Sequence, residues 1–143
     1  MAAGARQHDV RQYAGFDATM AENDGGPVNA AEIGDKILEA HPYMFRNNRG
    51  AAKTEHGYIT FGIPAPPKGR RERDDDLKGS DYVGFIVVKG VPIFAAIEVK
   101  TKKDRLKTGQ VRWLKFVDAQ GGIAQLWQEV SDDTILITSA SEL

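Results

Sequence analysis

The chain contains no cysteine, and that absence removes several kinds of chemistry at once. Among its 143 residues there is no thiol, which excludes disulfides, thiolate zinc sites and a cysteine nucleophile. The histidines, His8, His41 and His56, are widely scattered, so no pair has the close helical spacing of a zinc protease. Because a chain without cysteine suits a reducing compartment, we expect a cytoplasmic protein.

Long apolar runs and a strong net charge are also missing. The start "MAAGARQHDV" lacks the apolar segment of a signal peptide, and no stretch reaches the ~20 apolar residues that span a membrane. We therefore expect a soluble protein with no membrane partner. The 19 basic and 20 acidic residues give a net charge of -1, so affinity for a polyanion must come from local clustering of charge.

Length and patterning predict one domain preceded by an arm. A chain of 143 residues with 41% hydrophobic content supplies one ordinary core. Residues 1–28 have little periodicity and include "ENDGGP", which predicts a flexible N-terminal arm. The domain is expected over residues 29–143.

Two amphipathic segments predict helices. In "NAAEIGDKILEA" Asn29 is a candidate N-cap, Glu32 stands at the capping-box position, and Ile33, Ile37 and Leu38 form an apolar stripe. In "TGQVRWLKFVDAQGG" the stripe runs through Gln110, Trp113, Leu114 and Val117, with Thr108 as a candidate cap and the glycine pair as the stop.

The segments between these helices predict strands and one polar loop. Short strands are expected in "YMFRNNRG", "HGYITFGIP", "IAQLW" and "TILIT", a hairpin in "SDYVGFIVVKGVPIFAAIEVK", and a surface loop in "PAPPKGRRERDDDLKG". This order of elements predicts an α/β fold with a mixed central β-sheet flanked by helices.

The hairpin brings three ionisable side chains to one face of the sheet. A two-residue turn at Lys89-Gly90 sets Asp81 directly opposite Glu98, with Cβ atoms roughly 4.5 to 5.5 Å apart. A four-residue loop would pair Asp81 with Lys100 instead. Because side chains alternate along a strand, Asp81, Glu98 and Lys100 share one face in either register.

Two carboxylates this close repel each other unless a cation lies between them. A hard divalent metal such as Mg²⁺ prefers oxygen ligands, and Asp81, Glu98 and the carbonyl of Val99 could provide three. Lys100 would orient or help to deprotonate the attacking water and would offset negative charge on the pentavalent phosphate. The alternative is a surface ion pair at the end of a hairpin, which fits poorly with the apolar runs on both sides.

Gln110 lies on the buried stripe of the second helix, where an unpartnered amide would be costly. A structural hydrogen bond to the backbone would satisfy it, but the helix begins only a few residues after Lys100 and its start can face an anion. We therefore interpret Gln110 as a site residue.

A basic cluster surrounds this start of the helix. From Lys100 to Lys115 there are seven basic residues against the single acid Asp104. A solvated helix face is the usual reason for such a run, but its position beside a phosphate-cleaving centre favours contact with a nucleic-acid backbone. The candidate contacts are Lys102, Lys103, Arg105, Lys107 and Arg112.

With Asp81, "IEVK" at residues 97–100 and the helical Gln110, the sequence resembles the PD-(D/E)XK nucleases, and more narrowly the small stand-alone type of the virus-type replication-repair nuclease domain, VRR-NUC. Ser80 stands where the motif's name has proline.

The resemblance implies a restriction-endonuclease-like core and Mg²⁺- or Mn²⁺-dependent hydrolysis of DNA by a homodimer. It implies branched substrates such as Holliday junctions, hence a role in DNA repair, in a bacterial or phage-infected cell. Asp81 and Glu98 match the metal-binding acids, Lys100 the catalytic lysine and Gln110 the helical glutamine. Glu32 best matches an acid on the first helix that joins the site, although its capping-box role is an equal alternative.

Two other functions remain open from the sequence. A nuclease-derived module could bind branched DNA without cutting it, although intact Asp81, Glu98 and Lys100 argue against lost chemistry. A restriction-type enzyme could read a base sequence, but no segment stands out as a recognition helix.

Overall fold

The computed structural model describes residues 29–143. The predicted N-terminal arm, residues 1–28, lies outside this part of the chain. Within the described part, no helix is long and apolar enough to cross a membrane.

Two helices and seven strands make up the described chain. They are α1 (Ala30–Ala40), β1 (Met44–Arg46), β2 (Gly50–Thr54), β3 (Gly57–Phe61), β4 (Tyr82–Val88), β5 (Val91–Lys100), α2 (Thr108–Ala119), β6 (Ile123–Ser131) and β7 (Thr134–Ser139), followed by a 3₁₀ turn at Ala140–Glu142. The predicted helices and strands are confirmed, and β2 was missed because "GAAKT" has only one β-branched residue.

The central sheet has the strand order β1-β4-β5-β6-β7, and β2 and β3 form a separate two-stranded sheet. Strands β5 and β6 are parallel and are joined by α2, whereas the other neighbours in the central sheet are antiparallel. The sheet is therefore mixed and flanked by helices, which confirms the predicted α/β class.

The hairpin has the tighter of the two predicted registers. Lys89 and Gly90 form its turn, both with positive φ, and the ladder runs from Val88 opposite Val91 to Tyr82 opposite Ile97. The next pair beyond this ladder is Asp81 and Glu98, so the register puts the two carboxylates side by side.

Helix α1 covers one face of the sheet. Its Ile33 and Ile37 are fully buried in a cluster with Tyr82, Ile97 and Trp127. The helix begins as predicted, because the Asn29 side chain accepts a hydrogen bond from the Glu32 N–H at 2.9 Å. Leu38 was wrongly assigned to the buried stripe, since it is 39% exposed.

Gly34 lets α1 approach the sheet closely. A Cβ at this position would lie 2.1 Å from the Tyr82 hydroxyl, so we expect Gly34→Ala to lower the free energy of unfolding by about 1–3 kcal/mol through overpacking. Tyr82→Phe removes the clashing oxygen, and we expect the double variant to be more stable than the sum of the single changes predicts.

Urea denaturation of the four proteins measures this coupling. Asp35→Ala, at an exposed position of the same helix, controls for helix propensity. Because alanine favours a helix over glycine by ~1 kcal/mol, a Gly34→Ala protein more stable than wild type would contradict the close approach.

Helix α2 covers only part of the opposite face. Trp113, Leu114 and Val117 pack there against Val83 and Ala96. The uncovered part carries exposed aromatic side chains, namely Tyr43, Phe45, Phe85 and Phe94. We call these four residues the aromatic face.

Candidate functional site

The predicted site residues meet at one edge of the central sheet. The ends of β1 and β5 and the start of β4 lie together there, because β4 pairs antiparallel with both neighbours. A pocket of about 220 Å³ opens at this edge. It is lined by Ala30, Arg46, Asp81, Glu98, Val99, Lys100, Asp104 and Gln110.

The backbone around Asp81 is fixed on both sides. Asn47 donates its N–H to the Asp81 carbonyl at 2.7 Å and its side-chain amide to the Ser80 carbonyl at 2.9 Å. The buried Ser80 hydroxyl accepts a hydrogen bond from the Trp113 indole at 3.1 Å. The Asp81 carboxylate accepts from the Val99 N–H at 2.8 Å, which holds it against β5.

The carboxylate of Glu98 is almost fully buried, with 2% of the residue exposed. Its Oε1 accepts a hydrogen bond from the Gln110 amide at 2.9 Å and lies 3.4 Å from the Lys100 ammonium. Its Oε2 is buried and has no hydrogen-bond partner. Burial and then the charge of Asp81 raise the pKa of Glu98 to about 8, and the opposing effect of Lys100 is smaller.

The Gln110 side chain connects the start of α2 to the carboxylates. Its Oε1 accepts the Lys107 N–H at 2.9 Å, while its Nε2 donates to Glu98. The N-cap position is therefore Lys107, and Thr108 is the first helical residue rather than the cap. The structural bond and the site contact that the sequence offered as alternatives are both present.

Lys100 and Glu32 occupy different surroundings. Lys100 is the last residue of β5, 8% exposed, and its ammonium points to the same pocket as Glu98. Glu32 lies in the first turn of α1 with its Oε1 3.4 Å from the Asn29 side-chain nitrogen, and the pocket lining includes its helix through Ala30. The geometry therefore shows the cap contact for Glu32.

The basic residues divide into two groups. Lys102 pairs with Asp132 at 2.6 Å, and Arg112 lies 3.9 Å from Asp75. In the described chain Lys103, Arg105 and Lys107 are exposed and form no such ion pair. Exposed ion pairs contribute only about 0–1 kcal/mol, so Lys102 and Arg112 can exchange their partners for phosphate groups, and the other three can bind phosphate directly.

Arg46 and Asp104 line the pocket, and the sequence did not single them out as site residues. Arg46 comes from β1, far from the hairpin in sequence, and only the strand order brings it here. Asp104 accepts hydrogen bonds from the Thr101 N–H and hydroxyl, at 3.2 and 2.9 Å, which lower its pKa. This bonding closes the turn that follows Lys100.

The residues at the pocket fit a divalent metal. A buried carboxylate oxygen without a partner, beside a second carboxylate, is an unfavourable arrangement that a bound dication would relieve. The described chain has no group of three or more histidine and acidic residues suited to a metal. Two carboxylates and a carbonyl suit Mg²⁺, which keeps several waters, better than they suit zinc.

One family model matches a part of the chain that contains most residues of this pocket. Residues 75–129 match the VRR-NUC domain. Neither the curated proteins nor the solved structures gave a match. The matched segment contains Asp81, Glu98, Lys100 and Gln110, and the matching family model is that of the domain the sequence resembles.

Proposed function

We propose that the protein is a metal-dependent endonuclease that hydrolyses phosphodiester bonds of DNA at the pocket around Asp81 and Glu98. The observation that carries the proposal is the buried, unpartnered Oε2 of Glu98 beside the Asp81 carboxylate. Without a bound cation the protein must keep Glu98 protonated at neutral pH, because burying two like charges is costly, whereas a dication lets both carboxylates ionise.

In this proposal Asp81, Glu98 and the carbonyl of Val99 hold Mg²⁺ or Mn²⁺. When bound, the metal polarises the phosphate and promotes ionisation of a water molecule. Glu32 is a further candidate for the site only if its side chain turns from Asn29 toward the pocket.

Gln110 and Lys100 are proposed to orient the reacting groups and to neutralise negative charge. The Gln110 amide holds Oε1 of Glu98 and leaves Oε2 for the metal. The Lys100 ammonium, buried beside Glu98, is placed to orient or help deprotonate the attacking water and to stabilise negative charge on the phosphorus oxygens. Hydrolysis forms one bond from the water oxygen to phosphorus and breaks one phosphorus–oxygen bond of the DNA strand.

The basic surface supports DNA as the substrate. The segment between β5 and α2 carries Lys102, Lys103, Arg105 and Lys107 together with the pocket residue Asp104, and Arg112 lies on α2. Contact with several phosphates makes binding strongly dependent on salt. We propose branched DNA as the preferred form, and residues 29–143 as the domain that acts on it.

We also propose that the protein acts as a homodimer. The described chain has one candidate site, and two symmetric copies can cut opposed strands of a junction. The aromatic face supports this, because exposed apolar patches commonly mark interaction surfaces.

Light scattering after size exclusion tests the dimer. We expect twice the chain mass of 15.7 kDa at micromolar concentration, and a shift toward monomer for Phe85→Asp. A mass equal to one chain for wild type would contradict the dimer and leave the proposed chemistry intact.

The nuclease activity is tested with labelled linear duplex, flap and four-way junction DNA, each with Mg²⁺, with Mn²⁺ and with a chelator. We expect metal-dependent cutting, fastest on branched DNA and indifferent to base sequence. Binding without cutting in either metal would favour the binding module, and cutting at one base sequence would favour the restriction-type enzyme.

A further inference from the structure

Arg46 is a cation at the pocket that the proposed chemistry does not yet use. It is the last residue of β1 and lines the same pocket as Asp81 and Glu98. The described residues include no carboxylate within ion-pair distance of its guanidinium. By contrast, Lys100, the other cation in the pocket lining, is paired with Glu98 at 3.4 Å.

The position of Arg46 relative to Asp81 is set by the backbone. Arg46 pairs with Tyr82, the residue after Asp81, in the β1–β4 ladder. The next residue, Asn47, donates its N–H to the Asp81 carbonyl at 2.7 Å. The Arg46 backbone therefore cannot move away from Asp81 without breaking this ladder.

The Arg46 side chain also packs over the ring of Tyr82. Its guanidinium carbon lies 5.7 Å from the centre of the Tyr82 ring, a cation–π distance. Tyr82 is only 6% exposed and packs closely against Gly34 of α1. This cation–π contact restricts the guanidinium without using its N–H groups, which remain available to donate hydrogen bonds.

The strand order places Arg46 on the strand next to Asp81, whereas Lys100 is on the same strand as Glu98. Strand β4, which begins after Asp81, lies between β1 and β5, so the two cations stand on strands roughly 10 Å apart at ~4.8 Å per strand. The two side chains therefore reach the same pocket from different strands, and only Lys100 is paired with Glu98. This arrangement suits one cation at the phosphate that is cut and the other at its neighbour.

We propose that Arg46 binds a phosphate of the DNA strand next to the one that is cut, on the Asp81 side of the pocket. The planar guanidinium donates two parallel hydrogen bonds to phosphate oxygens. It also offsets the repulsion between the DNA and the carboxylates of Asp81 and Glu98. The inference rests on the proposed nuclease function for its cleavage readout, and its binding readout is independent of cleavage.

The binding experiment uses a four-way junction and a chelator, so that no strand is cut. Fluorescence anisotropy over a range of salt concentrations compares wild type, Arg46→Ala and Arg46→Lys with Lys53→Ala, which removes an exposed charge from the two-stranded sheet. We expect Arg46→Ala to weaken binding by about tenfold or more and to lower the salt slope by ~1. Arg46→Lys should keep the slope and lose part of the affinity, and Lys53→Ala should match wild type.

The cleavage experiment uses the same four proteins with Mn²⁺. Arg46→Ala should lower kcat/KM by about 10- to 100-fold, mainly through KM, because the contact exists before the bond is cut. A wild type that cuts, with an Arg46→Ala variant that cuts and binds as well as it does, would overturn the proposal for Arg46. A wild type that never cuts overturns the nuclease function instead, and the salt slope then still decides the role of Arg46.

Discussion

Asp81→Ala should abolish DNA cleavage while leaving DNA binding intact. Asp81 is held against β5 by the Val99 N–H and stands beside Glu98, so its removal deletes one of the two carboxylates that we propose as metal ligands. Divalent metals supply several kcal/mol of transition-state stabilisation, which corresponds to a loss of about 10³-fold or more in kcat. Binding should be equal or slightly tighter, because a charge that repels phosphate is lost.

Single-turnover cleavage and anisotropy on the same junction measure both quantities. Asp118→Ala removes an exposed carboxylate from α2 and should behave as wild type in both assays. If Asp81→Ala retains more than a tenth of wild-type cleavage, Asp81 is not a metal ligand. If it loses binding as severely as cleavage, the change has damaged the fold rather than the chemistry.

The second large effect is on the free energy of unfolding of the metal-free protein. We expect this free energy to decrease as the pH rises from 4.5 to about 8. Unfolded Glu98 ionises near its ordinary pKa of 4.5, whereas the buried folded residue keeps its proton up to about 8. The folded state binds the extra proton in this window, so the free energy of unfolding decreases as pH rises. At ~1.4 kcal/mol for each pKa unit, the upper bound of the loss is roughly 5 kcal/mol.

Glu98→Gln removes this titration. In the presence of a chelator we expect urea unfolding of wild type to lose about 2–4 kcal/mol relative to Glu98→Gln between pH 5 and pH 8. Adding Mn²⁺ at pH 8 should recover stability in wild type and far less in the variant, because the metal binds only the ionised carboxylate. Parallel pH profiles for the two proteins would contradict the buried, strained carboxylate.

Much of the site could be predicted because its residues lie in locally patterned segments. The turn at Lys89-Gly90 fixes the register of the hairpin, and the register alone brings Asp81 to Glu98. Gln110 was found because an amide interrupts an otherwise apolar helical stripe. The physical signal in each case is a polar group where the local pattern requires burial.

Other features depend on tertiary structure and have no local signal. Arg46 reaches the pocket only because β1 pairs with β4, a pairing between segments far apart in sequence. Leu38 was misassigned because the buried stripe of α1 is narrower than its apolar pattern, and the approach of α1 at Gly34 depends on Tyr82. The cap of α2 was misassigned because the helix begins one residue earlier than its sequence suggests, with Lys107 at the N-cap and its N–H bound by the Gln110 side chain.

A crystal structure with Mn²⁺, with anomalous diffraction recorded at the manganese edge, tests the central claim most directly. The account predicts one anomalous peak in contact with oxygens of both Asp81 and Glu98, including the Glu98 Oε2 that has no partner in the protein. A crystal soaked in Mn²⁺ that shows no anomalous peak between the carboxylates of Asp81 and Glu98 would contradict it.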